Sequence, residues 1–127
     1  MNSFAKQQYI NIETFRRSGV GVQTPVWFVE DGNQLYVRTI KDSGKVKRIR
    51  NNSRVRVAPC DGRGNLRGEW QEAQARIATA SEDERIERLL KKKYGLVKGA
   101  FDLMGRFNRS EYVSLAINLE HNGQGSG

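Results

Sequence analysis

The sequence predicts a mainly β fold: a six-stranded antiparallel barrel with helices filling gaps or covering an end. Three observations carry this reading. Period-two runs of β-formers recur at hairpin spacing, at residues 9–15, 20–30, 34–40, 54–61, 68–78 and 112–119. Turn sequences, Arg16-Arg17-Ser18-Gly19 and Asp31-Gly32, join the first three runs. Only a few stretches of helical period interrupt the series, which argues against a doubly wound parallel sheet.

In the first run Ile10, Ile12 and Thr14 alternate with polar neighbours. The second contains Pro25, which cannot donate to a sheet ladder and so marks an edge, a bulge or a place where backbone groups face a ligand. The third alternates Leu35, Val37 and Thr39 against Tyr36, Arg38 and Ile40. It then changes period. Asp42 or Ser43 can cap a helix in which Val46 and Ile49 share one face and Lys45 and Arg48 another, and Asn51-Asn52 ends it.

The fourth run turns Val55 and Val57 inward and Arg54 and Arg56 outward. After the loop Gly62-Arg63-Gly64-Asn65, Trp70 opens a fifth strand that Ile77 closes. Ser81-Glu82-Asp83-Glu84 reads as a capping box for a helix that buries Ile86, Leu89 and Leu90 and runs to about Tyr94, where Gly95 stops it. On this helix Arg88 and Lys91-Lys92-Lys93 read as a solvated face, and the acidic start as a complement to the helix dipole. Residues 98–107 suggest a shorter helical or irregular segment, and 112–119 a last strand.

A chain of 127 residues makes one domain, expected over 1–120, with a polar tail at 121–127 that reads as disordered. A net charge of +8 points to anionic partners. The single cysteine, Cys60, excludes an intramolecular disulfide, reads as an inert core residue, and suggests a reducing, cytoplasmic setting. The single histidine, His121, cannot supply a metal cluster and reads as a surface residue. No run approaches a membrane span, and the first residues lack the apolar core of a signal peptide.

The junction of the third strand and the first helix carries the functional signal. A strand runs into a helix N-terminus bearing a hydroxyl, free N–H groups and positive charge, which is a way of holding phosphate, with Thr39 and Ser43 as donors and Lys45 and Arg48 as cations. The same residues read equally as a capped helix with an ordinary basic face. Ser-Gly-Lys lacks the Gly-x-x-x-x-Gly-Lys spacing of a nucleotide P-loop.

Taken in order, Thr24-Pro25-Val26-Trp27-Phe28, Asp31-Gly32, Leu35-Tyr36-Val37-Arg38-Thr39, Ser43-Gly44-Lys45-Val46-Lys47-Arg48 and Asn52-Ser53-Arg54-Val55-Arg56-Val57-Ala58-Pro59-Cys60 resemble the pyridoxamine 5′-phosphate oxidase-like split-barrel flavoproteins. The chain is most similar to their deazaflavin-dependent oxidoreductase branch. The resemblance implies a split-barrel homodimer with two cofactor sites at the interface, binding flavin mononucleotide (FMN) or the deazaflavin coenzyme F-420, and a small-molecule redox substrate. It places Thr24, Pro25, Val26 and Trp27 along the ring and ribityl chain, and Thr39, Ser43, Lys45 and Arg48 at the phosphate. It assigns no catalytic acid or base, because the cofactor carries the hydride chemistry. Backbone N–H groups of the Pro25 strand would then face the ring edge, where charge develops on reduction.

The chain ends soon after its last strand, without the C-terminal segment of true pyridoxamine phosphate oxidases, which speaks against pyridoxal phosphate synthesis. Lys41, Lys47, Arg50 and Arg54 could meet the longer anionic tail of the deazaflavin. Two other classes remain. One is a binding or storage protein for a flavin or another planar ligand. The other is a nucleic-acid-binding barrel with Arg38, Lys47, Arg50, Arg54 and Arg56 lining a groove and Tyr36 or Trp27 stacking bases.

Overall fold

The structure, a computed structural model, describes residues 4, 6–94 and 112–120. Among these, seven strands and two helices follow in order: β1 (Tyr9–Phe15), β2 (Gly21–Trp27), β3 (Val29–Asp31), β4 (Gln34–Ile40), α1 (Gly44–Asn51), β5 (Arg54–Cys60), β6 (Gln71–Ile77), α2 (Ala80–Tyr94) and β7 (Tyr112–Leu119). They form one sheet in the order β2-β1-β5-β6-β7-β4-β3, each neighbouring pair antiparallel. The segment expected at 98–107, the tail at 121–127 and His121 lie outside the described residues.

The strand expected over 20–30 is two strands, which makes seven where six were expected. The break falls at Phe28. Residues up to Trp27 pair with β1, and those from Val29 pair with β4, at opposite ends of the sheet. A single residue therefore joins the first strand in the sheet order to the last, which requires the sheet to curl round on itself. This is a split barrel: the chain changes partner at Phe28, and β2 diverges from the part of β4 beyond Tyr36.

Each face follows from the period-two pattern. Inward residues Ile10, Ile12, Leu35, Val37, Val55, Val57, Ala73, Ala75, Leu115 and Ile117 fill the barrel with Phe28, and Val46 and Ile49 of α1 join them. Outward residues Trp27, Val29, Tyr36 and Ala116 meet Ile86, Leu90 and Tyr94 of α2 in a second core. One helix joins the inner core and the other covers an outer face.

The two hairpin turns form where expected, with Gly19 at φ 94° and Gly32 at φ 64°, conformations a Cβ disfavours. The fifth expected strand begins later, at Gln71, leaving Trp70 in the preceding loop beneath the Arg56 guanidinium. The capping box also shifts. Glu82 N–H donates to Thr79 Oγ1 at 3.2 Å and Thr79 N–H donates to Glu82 Oε1 at 2.8 Å, so the cap is Thr79 with Glu82, not Ser81 with Glu84. Glu82 also grips Arg76 through two bonds of 2.7 Å, which with the cap holds its carboxyl down at about 2. Among the described residues no helix is long and apolar enough to cross a membrane.

Candidate functional site

Among the described residues the split has two unpaired edges. There β2 pairs along its whole length with β1 and has no second partner, and β4 beyond Tyr36 has no β3 residue opposite it. β2 approaches β4 without pairing to it. Pro25 sits on an edge strand, as its missing N–H demands. The register is uninterrupted from Gly21 to Trp27, so the backbone groups facing β1 are engaged in an ordinary ladder. That counts against them as ligand donors; only the groups turned to the open edge of β2 remain for that role.

At the outer mouth of the split lies a cavity of about 380 Å³ lined by Tyr9, Pro25, Val26, Trp27, Arg38, Leu90 and Tyr112. Its walls are mostly aromatic and aliphatic, with one cation among them. Trp27 is held in place by Tyr94, whose ring stacks on it at 5.0 Å with 12° between planes. Arg38 is almost buried, at 11% side-chain exposure. Its Nη2 donates to Asp83 Oδ1 at 3.0 Å and to the Asp83 carbonyl at 3.4 Å, its Nη1 to Glu87 at 3.4 Å, and its Nε to Ser114 Oγ at 3.5 Å.

The break itself is clasped by the end of α2. Phe28 N–H donates to Tyr94 Oη at 3.1 Å, and the Phe28 carbonyl lies 2.6 Å from the same hydroxyl. Lys93 Nζ donates to that carbonyl at 2.9 Å and sits 3.6 Å from the centre of the Phe28 ring. Lys93 is thus no part of a solvated face. Burial lowers its pKa to about 8, against a smaller opposing pull from Glu30.

Beyond the end of β4 the chain passes through a turn closed by Ser43 N–H donating to the Ile40 carbonyl at 3.0 Å, and α1 begins. Val46 and Ile49 anchor the helix in the core, which turns Lys45 and Arg48 to its half-buried side. Ser43 occupies the N-cap, but its hydroxyl does not cap the helix; Oγ is buried without a partner among the described residues. A Cβ on Gly44 would come within 2.7 Å of Arg48 Nη1, so glycine makes room for that guanidinium. Arg48 Nε donates to Thr14 Oγ1 at 2.6 Å.

No acidic side chain among the described residues pairs with Lys45 or Arg48. Burial, then the neighbouring Arg48, lowers the Lys45 pKa; burial, then Arg16, lowers that of Arg48. An unsatisfied hydroxyl beside two cations that repel each other fits a bound phosphate, which would satisfy the first and neutralise the others.

Of the expected site residues, Pro25, Val26 and Trp27 line the cavity, and Ser43, Gly44, Lys45 and Arg48 come together at the start of α1. Thr39 is buried near the end of β4, on its inward side with Leu35 and Val37, and Thr24 lies opposite Ile12. Neither lines the cavity. The sequence reading missed Tyr9, Leu90 and Tyr112 as cavity residues and Arg38 as a member of this site. Tyr9 was within reach, since the first hairpin sets it opposite Trp27. Cys60 is buried, and burial, then Asp61, raises its thiol pKa, as an inert residue requires.

No protein-family model and no curated protein sequence matches the chain. Solved structures do match. A Listeria innocua protein named for pyridoxamine 5′-phosphate oxidase superposes with a TM-score of 0.64 at 20% identity, over 91% of this chain and 86% of that one. An F-420 reductase gives a TM-score of 0.61 at 15% identity, over 93% and 90%. The heme storage protein HutZ of Vibrio cholerae gives 0.66 at 10% identity, over 91% and 83%. Likeness at these identities establishes architecture, and with the strand exchange at Phe28 it identifies the fold as the pyridoxamine 5′-phosphate oxidase-like split barrel.

Proposed function

We propose that the protein is an oxidoreductase that uses FMN or, alternatively, the deazaflavin coenzyme F-420, bound where two copies of the chain meet. One observation carries this reading. Arg38 of β4 lines an aromatic cavity, and just past the end of β4 lie a hydroxyl without a partner and two cations without an acid, among the described residues. A planar ring joined to a phosphate by a short polar chain would call for both.

In this reading Ser43, Lys45 and Arg48 hold the phosphate, Thr39 supports them from β4, and Thr24, Pro25, Val26 and Trp27 line the ring and ribityl chain. The bound cofactor supplies hydride transfer. The chain's own part is to orient the ring against Trp27, keep water from its buried face, and leave the opposite face open to a small redox substrate. A domain this small does not enclose such a ligand by itself, and Ile40, 43% exposed next to Thr39, offers apolar surface to a second copy. A cytoplasmic setting suits this chemistry.

The fold of HutZ favours a second reading, retention of a planar ligand without turnover. A nucleic-acid groove is disfavoured, because Arg38, Arg54 and Arg56 are tied to Asp83, Glu72 and Glu13. The test is an absorption spectrum of the purified protein, then titration of the stripped protein with FMN and with the deazaflavin. Binding that Lys45→Ala weakens about tenfold or more, with nicotinamide or substrate oxidation by the loaded protein, is the expected result. Binding without turnover supports storage, and binding of neither cofactor defeats the oxidoreductase reading.

A further inference from the structure

Arg38 belongs to neither the phosphate cluster nor the expected ring contacts, yet it is the cation in the cavity wall. A guanidinium has five N–H groups in a fixed plane. Four are committed here: Nε to Ser114, one on Nη1 to Glu87, and both on Nη2 to Asp83. One Nη1 N–H has no acceptor among the described residues. An almost buried donor left without a partner is costly, so its natural complement is an acceptor atom of whatever fills the cavity.

The charge balance states which kind of acceptor. Arg38 is countered by both Asp83 and Glu87. A guanidinium already met by two carboxylates repays a neutral hydrogen-bond acceptor and gives an added anion little. Among the described residues Lys45 and Arg48 have no such acids, and they suit the anion instead. The two places therefore differ chemically, and a ligand with a phosphate at one end and a neutral carbonyl on a planar ring at the other matches them in one orientation.

Resting on the cofactor reading above, we propose that Arg38 is a positioning residue for the ring, donating its free Nη1 N–H to a carbonyl oxygen of a planar heteroaromatic ring held in this cavity. Asp83, Glu87 and Ser114 fix the plane of the guanidinium and hence the orientation of the ring. Trp27, backed by Tyr94, supplies the flat wall.

The test compares riboflavin, which has the ring and no phosphate, with FMN, using wild type, Lys45→Ala, Arg38→Lys, and the double variant Arg38→Met/Asp83→Asn. The double variant avoids leaving the Asp83 carboxylate without its guanidinium partner, and circular dichroism confirms that each protein is folded. Both Arg38 variants should weaken riboflavin and FMN by the same factor, about tenfold, and shift the visible absorption bands of the bound ring. Lys45→Ala should weaken FMN alone and leave the bands in place. If FMN binds wild type and Lys45→Ala weakens it, but the Arg38 variants keep wild-type affinity and band positions, the proposal for Arg38 fails while the cofactor reading stands. If wild type binds neither FMN nor the deazaflavin, both fail.

Discussion

The hydroxyl of Tyr94 lies 3.1 Å from the backbone nitrogen of Phe28 and 2.6 Å from its carbonyl oxygen, so one side chain meets both polar groups of the residue at which the sheet breaks. A residue between two strands loses its ladder partners, and burying its N–H and C=O unpaired would oppose the break. Tyr94 Oη accepts the N–H. Its one proton has two acceptors in reach, the carbonyls of Phe28 and of Gln8 at 2.7 Å, and Lys93 Nζ serves the Phe28 carbonyl as well. Tyr94→Phe should therefore leave the Phe28 N–H without an acceptor and lower stability by about 1–3 kcal/mol. A urea titration followed by tryptophan fluorescence would show the midpoint fall, with the folded-state signal kept because the ring still stacks on Trp27. An unchanged midpoint would mean that the clasp contributes nothing.

Lys93 sets a pH dependence of defined sign. Its folded pKa, about 8, lies below its ordinary value of 10.5. Between these values the unfolded chain binds a proton that the folded chain does not, so this group's contribution rises with pH from about 8 and is complete above about 10.5. Wild type should gain stability relative to Lys93→Met across that window, read from denaturation midpoints of the two proteins at matched pH. A constant difference would place the Lys93 ammonium in water.

Thr79 and Ser81 offer a direct comparison of two capping assignments. Thr79→Ala removes the acceptor for the Glu82 N–H and should cost about 1 kcal/mol. Ser81, exposed within the first turn of α2, should tolerate alanine to within about 0.5 kcal/mol. Thermal unfolding of both variants decides the point, and equal losses would contradict the assignment.

The lowered pKa of Lys45 gives phosphate binding a pH dependence of its own. Its protonated form is the one that attracts phosphate, so FMN affinity should fall as pH rises toward the lysine range and do so earlier than an ordinary lysine would require. Lys45→Arg keeps the charge at all these pH values and should flatten the profile. Isothermal titration between pH 7 and 10, about the range that matters, measures both. A wild-type profile as flat as that of the arginine variant would remove Lys45 from the site.

The strand bounds at residues 9–15, 34–40 and 112–119, the barrel class and the helix after Ser43 were all legible in the sequence, because each rests on local periodicity and turn chemistry. The first hairpin even carries its register, which sets Tyr9 opposite Trp27. The break at Phe28 was not legible. Val26, Phe28 and Val29 continue a β-like run, and nothing local says that residues on either side belong to opposite ends of a sheet; only the closure of the barrel decides this. Lys93 reads as one of three surface lysines until α2 docks with its last turn against the break. Arg38 reads as a basic residue on a strand until α2 supplies Asp83 and Glu87. The sequence by itself determined which residues are chemically able to hold a phosphate. Tertiary structure decided which of them lie together, which cations are already neutralised, and which hydroxyl has no partner among the described residues, since each depends on groups brought close by contacts between segments distant in the chain.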